Sequence, residues 1–312
     1  MRNETIIRKI VDHILLNACS VNSSGLYNGK AGMALALFEA ARYLQDDYVE
    51  EQAFELLQES LITKIEDISL ENGLAGIGYV LLYLIHNNHI EADFHELFGE
   101  QHEKILKGVY KSIENTNIMR INYYLSEVKR HTSGSNQLNE LTNKIFQSVE
   151  SNLLSQFSCF TNLHNGNNKI AVLSKFECYL KAARYCNYTE VSLPLLDDYA
   201  HLYRNGRIKS SFPIACYLEM LGMEHRLSDV IRSNKQFENI DSTLRHASLR
   251  SIIEYSHLSG DEGTLTTIIS EEELGNAILK HIPKGAFIAG YEQGLSRLLF
   301  YLTNNNSIFI VT

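Results

Sequence analysis

The chain has 312 residues, 45% apolar and 21% charged, with 28 Lys and Arg against 37 Asp and Glu and a formal charge of −9. That acidic balance, with no basic run, argues against nucleic acid and anionic membrane surfaces as partners. No apolar stretch approaches the roughly 20 residues needed to span a bilayer, and only Pro194, Pro213 and Pro283 are present to break helices.

In chain order, Ile6, Ile7, Ile10, Val11, Ile14 and Leu15 recur at helical spacing with Arg8, Lys9 and Asp12 between them. Residues 1–19 therefore read as an amphipathic helix rather than a signal peptide. Gly25-Leu26-Tyr27-Asn28-Gly29-Lys30-Ala31-Gly32-Met33 opens an apolar helix ending near Leu44. From Glu51 to Ile62 an amphipathic pattern sets Phe54, Leu57 and Leu61 against Glu51, Glu55 and Glu59. Gly73-Leu74-Ala75-Gly76-Ile77-Gly78-Tyr79 opens a second apolar helix, ending near Ile85. Further helical patterns follow at Ile118 to Val128, Ile170 to Ala183, Pro213 to Leu221 and Leu244 to Tyr255. The third of these is preceded by Asn205-Gly206, a looser member of the glycine series. Ser270-Glu271-Glu272-Glu273 supplies a capping box. Gly290-Tyr291-Glu292-Gln293-Gly294 opens a last apolar helix ending near Leu302, and Ser307 to Val311 reads as a strand.

The starts of the apolar helices recur at roughly 45 residues, which fills the chain with about seven helix pairs. In each pair one helix is apolar nearly all round and its partner is amphipathic. A helix apolar on every side is buried on every side, so the alternation describes an inner ring wrapped by an outer one. The last repeat is as apolar as the first, which favours closure over an open solenoid with polar end repeats. The expected fold is all-α, a single α/α toroid domain over residues 1–312. Gly25, Gly29, Gly73, Gly76, Gly290 and Gly294 are then structural turns. They gather the inner-helix N-termini at one end, where helix dipoles and free N–H groups suit anionic or polar ligand groups. The five cysteines, Cys19, Cys159, Cys178, Cys186 and Cys216, are scattered and odd in number, as expected of reduced thiols in a cytoplasm.

The two best-defined glycine segments resemble the repeat signatures of the lanthionine synthetase C-like (LanC-like) family. The resemblance is strong over residues 20–86 and 286–303 and rests on spacing between them. It implies a seven-fold α/α toroid. Active members of that family are zinc enzymes that add a cysteine thiol of a precursor peptide to a dehydrated residue, closing a thioether ring. The resemblance implies zinc ligands at a Trp-Cys-x-Gly and a Cys-His-Gly stretch, with an acid/base histidine in a His-Gly motif. Here the matching stretches are Tyr203-Arg204-Asn205-Gly206, Leu244-Arg245-His246-Ala247 and Leu163-His164-Asn165-Gly166. Arginine replaces both thiolates, tryptophan is absent, and Asn117 to Tyr123 lacks the family's acidic residue. The expected protein therefore holds no metal and no cofactor.

His164 and His246 are the candidate acid and base. Arg204 and Arg245 are candidates for holding a carboxylate or phosphate, or else are solvated. Tyr27, Tyr79 and Tyr291, with Tyr123 and Tyr124, either line a peptide groove or fill the ring. Asp197-Asp198 and Glu271 to Glu273 read as solvated faces rather than a glycosidase pair. The resemblance, with both thiolates lost, implies a zinc-free, non-catalytic scaffold that holds a precursor peptide or a partner modifying enzyme. The alternative is an enzyme, a peptide cyclase or another α/α-barrel catalyst, using His164 and His246.

Overall fold

The computed structural model describes residues 2–113, 116–131, 136–162, 166–236, 248–260 and 288–304. Among these there are thirteen α-helices and no strand. They are α1 Arg2–Ala18, α2 Lys30–Leu44, α3 Asp47–Ile62, α4 Leu74–His86, α5 Phe94–Ser112, α6 Ile121–His131 and α7 Asn136–Ser158. After them come α8 Gly166–Tyr185, α9 Leu193–Arg204, α10 Phe212–Met220, α11 Glu224–Gln236, α12 Leu249–Ser259 and α13 Leu295–Thr303. Short 3-10 turns precede α6 (Thr116–Arg120) and follow α7 (Phe160–Asn162). No described helix is long and apolar enough to cross a membrane.

Two kinds of helix start recur. Asp46, Ser192 and Ser248 accept from the backbone N–H groups of Val49, Leu195 and Ser251, so side chains cap α3, α9 and α12. Glycine caps α2, α4 and α13 without any side-chain bond. The ends of α4, α8, α9 and α10 share one device. A residue in the left-handed region (Asn88, Asn187, Gly206 and Gly222) turns the chain. The N–H after it then reaches back to Leu84, Ala183, Leu202 and Leu218, satisfying carbonyls the helix would leave open.

The apolar and amphipathic helices separate as their sequences require. Ala31 to Ala41 of α2 and Leu74 to Leu84 of α4 are buried all round. In α1, Ile6, Ile7, Ile10, Val11 and Ile14 are buried while Arg8, Lys9 and Asp12 face solvent. The expected face of α3 needs correction. Phe54 is 45% exposed and Leu61 half-buried, whereas Val49, Ala53, Leu56, Leu57 and Ser60 are buried. The helix begins four residues earlier than the pattern suggested, at Asp47, and Val49 and Ala53 fix a face one position away from Phe54.

The described chain divides into two compact units, Met1–Gly108 with Asp241–Thr312, and Val109–Ile240. In the first, α2 packs against α1, α3, α4 and α13, and α12 packs on α13. In the second, α7 packs against α6, α8 and α9, while α10 bridges α8 and α11. The capping box at Ser270 and the strand at Ser307 to Val311 lie outside the described residues. The helix expected from Leu244 is described from Leu249 onward.

Candidate functional site

The glycine turns before α2, α4 and α13 are the same structure three times. Their N-cap residues Gly29, Gly73 and Gly294 have φ/ψ of −128/177°, −111/−167° and −110/−164°. In each turn the first helical N–H, of Lys30, Leu74 and Leu295, donates to a carbonyl at one fixed offset upstream, of Ser23, Asp67 and Ile288. Equivalent residues also bond across turns. The Tyr27 N–H donates to the Glu71 carbonyl at 2.7 Å, and the Glu292 N–H donates to the Tyr27 carbonyl at 2.8 Å. The last turn is thus joined to the first by the bond that joins the first to the second. The Tyr291 N–H adds a second bond to the same Tyr27 oxygen, at 2.6 Å.

Glycine is needed in these turns for close approach rather than for unusual dihedrals. A Cβ on Gly32 would stand 1.8 Å from the Leu26 carbonyl oxygen, and one on Gly76 would stand 2.1 Å from that of Leu70. The third turn solves the same position differently. There the register places Arg297, and its Nε donates to the carbonyls of Tyr291 at 2.9 Å and Glu292 at 2.8 Å. The guanidinium lies over the Tyr291 ring, 5.1 Å from its centre. Burial pulls the Arg297 pKa below its usual value, and burial pushes the Tyr291 hydroxyl up to about 12. Asn28 and Arg250 both approach the Glu292 carboxylate, at 3.4 and 3.6 Å.

The tyrosines, for which a groove lining and a filled interior were both open, are buried. Tyr27, Tyr79 and Tyr291 are 2%, 1% and 2% exposed, and Tyr123 and Tyr124 are buried too. A contact surface needs an exposed ring face, which these buried rings lack. Arg204 is exposed but not free. Its Nε and Nη2 donate to the two oxygens of Asp229, both at 2.8 Å, a fork-to-carboxylate pair. An anion could take the same fork of Arg204 only by displacing Asp229. His164, Arg245 and His246 lie outside the described residues, so the expected acid/base pair has no geometry here. Among the described residues no three His, Cys, Asp or Glu side chains stand close enough to hold a metal ion.

A half-open cleft of about 500 Å³ lies within the second unit, where α7 and α9 end. Phe157 and Leu202 form apolar wall, and Ser158 and Thr161 present hydroxyls from the α7 side. From α9 and the turn after it come Asp198, His201, Asn205 and Arg207. The local fold explains this grouping. Asp198, His201 and Leu202 share one helix face at i, i+3 and i+4. Gly206, with φ of 65°, turns the chain so that the Arg207 N–H bonds the Leu202 carbonyl at 2.9 Å, which seats Arg207 at the rim. Gly206 therefore ends α9; α10 opens separately at Phe212 behind Ser211. The Asn205 amide nitrogen donates to His201 Nε2 at 3.0 Å, leaving the proton of a neutral ring on Nδ1. Sequence reading missed this site because Asp198 looks like one more solvated acid and Thr161 is remote along the chain. The Asp198-x-x-His201 spacing was the one available signal.

Two buried carboxylates hold helices together elsewhere. In the first unit, Glu39 of α2 accepts from the Tyr83 hydroxyl at 2.6 Å and from His89 Nε2 at 2.8 Å. Asn304 donates to the same Tyr83 hydroxyl, tying the end of α13 to α2 and α4. Asn88, in the left-handed region after α4, is what turns His89 onto Glu39. Burial alone would raise the Glu39 pKa, but the bonds from His89 and Tyr83 outweigh it and hold the pKa below the usual range. In the second unit, Glu150 of α7 accepts from the Tyr179 hydroxyl and the Ser192 N–H. There burial dominates those bonds and raises the carboxyl.

A scan against protein-family models finds no match for the chain, and a search of curated proteins finds none either.

Proposed function

We propose that this protein is a zinc-free, non-catalytic relative of the LanC-like family, a closed α/α ring that serves as a scaffold for a precursor peptide or a modifying enzyme. One observation carries the reading. The hydrogen bond from Glu292 to Tyr27 repeats the one from Tyr27 to Glu71, as a ring of equivalent repeats requires where its last member meets its first. The three turns involved are the segments whose sequence carries the family resemblance. A ring of this kind keeps a rigid frame on which a peptide can be held without being changed. Fold by itself does not fix function, so the role is tested by binding.

The test titrates the purified full chain with each short peptide and each enzyme encoded by the genes that flank its own. A dissociation constant of about 10 μM or tighter for any of them supports the scaffold role. No binding to any of them at higher concentrations overturns it.

A further inference from the structure

We propose that the cleft between the ends of α7 and α9 is a binding site for a small zwitterion, a free amino acid or a short peptide with both ends uncapped. This stands apart from the scaffold reading and concerns only the second unit.

The case begins with how α9 distributes its charges. Asp197 and Arg204 are engaged by α11, through the Arg226 guanidinium (Nε to Oδ1 at 3.0 Å) and the Asp229 carboxylate. Asp198 and Arg207, which line the cleft, have no ion pair or side-chain hydrogen bond among the described residues. One cleft thus presents an uncommitted carboxylate and an uncommitted guanidinium that do not neutralise each other. A ligand with an ammonium group and a carboxylate complements both at once: Asp198 accepts from the ammonium, and the planar Arg207 fork matches a carboxylate.

The rest of the lining suits the body of such a ligand. Ser158, Thr161 and the Asn205 amide can bond a peptide unit, and His201 is held in place by Asn205. Phe157 and Leu202 offer an apolar wall to a short side chain. The volume, about 500 Å³, falls in the lower half of the range of small-molecule sites.

The experiment is calorimetric titration of the full chain with a panel of free amino acids and uncapped dipeptides, each with its N-acetylated and C-amidated counterparts. At least one uncapped compound is expected to bind with a dissociation constant below about 1 mM. N-acetylation should weaken it about tenfold, and Asp198→Asn should weaken the uncapped compound by a similar factor without further loss for the acetylated one. C-amidation and Arg207→Gln should form the corresponding pair. Strongest binding by free amino acids would define the ligand as a metabolite, and strongest binding by dipeptides as a peptide fragment; both support the site. Absence of binding by every compound at about 10 mM overturns it. So does equal binding of capped and uncapped forms, or an affinity that neither variant changes while circular dichroism shows both folded.

Discussion

Arg297 occupies in the last glycine turn the position that Gly32 occupies in the first. Both meet the carbonyl of a register-equivalent residue, Leu26 for Gly32 and Tyr291 for Arg297. In one turn the side chain is deleted so that backbone can approach; in the other a long side chain bends back and donates. Gly32→Ala forces a methyl to within 1.8 Å of the Leu26 oxygen and 2.8 Å of the Tyr291 Cβ. It should destabilise the protein by about 3 kcal/mol in urea unfolding. Gly99→Ala, in α5 with nothing within 4 Å of the new methyl, should instead stabilise by about 0.5 to 1 kcal/mol. Equal effects of the two substitutions would contradict the packing described.

Removing the donor from the last turn should be as harmful. Arg297→Met keeps the apolar stem but leaves the Tyr291 and Glu292 carbonyls without their Nε partner. A loss of about 2 to 4 kcal/mol is expected by chemical denaturation. A loss below about 0.5 kcal/mol would show that the carbonyls do not depend on it.

The two buried carboxylates should respond to acid in opposite directions. Glu39 has a depressed pKa, so its contribution is present above the unfolded-state value and is lost as pH falls through the folded one. Glu150 has a raised pKa, so its contribution is present at low pH and is lost as pH rises through the folded value. Stability measured from about pH 3 to pH 7 should therefore show an acid-side decline that Glu39→Gln makes shallower. Glu150→Gln, whose amide oxygen can still accept from Tyr179, should raise stability at neutral pH relative to acid pH. The same slope change in both variants would be inconsistent with these environments.

Thiol chemistry offers an independent map. Cys19 and Cys159 are exposed, Cys178 is intermediate and Cys216 is buried. Cys186 donates to the Asn122 carbonyl, and burial pushes its thiol up to about 12. Iodoacetamide at pH 8, followed by peptide mass spectrometry, should mark Cys19 and Cys159 quickly and spare Cys186 and Cys216 until the protein is denatured. Early labelling of Cys216 would place it elsewhere.

The helices were legible because burial imposes composition. Ala75 to Leu84 carries no charge and lies buried on every side. The glycine turns were legible too, since only a backbone that must pass within bonding distance of another repeats glycine at matched offsets. Phe54 was misplaced because an amphipathic period fixes a face only to within one position when the helix start is unknown. Gly206 was misread because a glycine ending one helix and a glycine opening the next look alike in sequence; the positive φ distinguishes them. The cleft was invisible for a different reason. Its members come from two helices, α7 and α9, and the turns after them, and nothing in Thr161 announces that it will line the same cleft as Asp198. Arg207 reads as an ordinary surface cation until Asp197 and Arg204 are seen to be paired while Arg207, among the described residues, is not.

The bond between Glu292 and Tyr27 also sets an order of events. One unit is built from Met1–Gly108 with Asp241–Thr312, and the other from the continuous stretch Val109–Ile240. A chain emerging from the ribosome delivers every residue of the second unit before the first receives its closing turn. Until Glu292 appears, the Tyr27 carbonyl and the flank of α2 that α13 covers stand open to water. Because closure entropy grows only with the logarithm of loop length, the long wait costs little stability. Its cost is time: the apolar flank of α2 stays uncovered until α13 has been made, a surface that can associate wrongly while it waits.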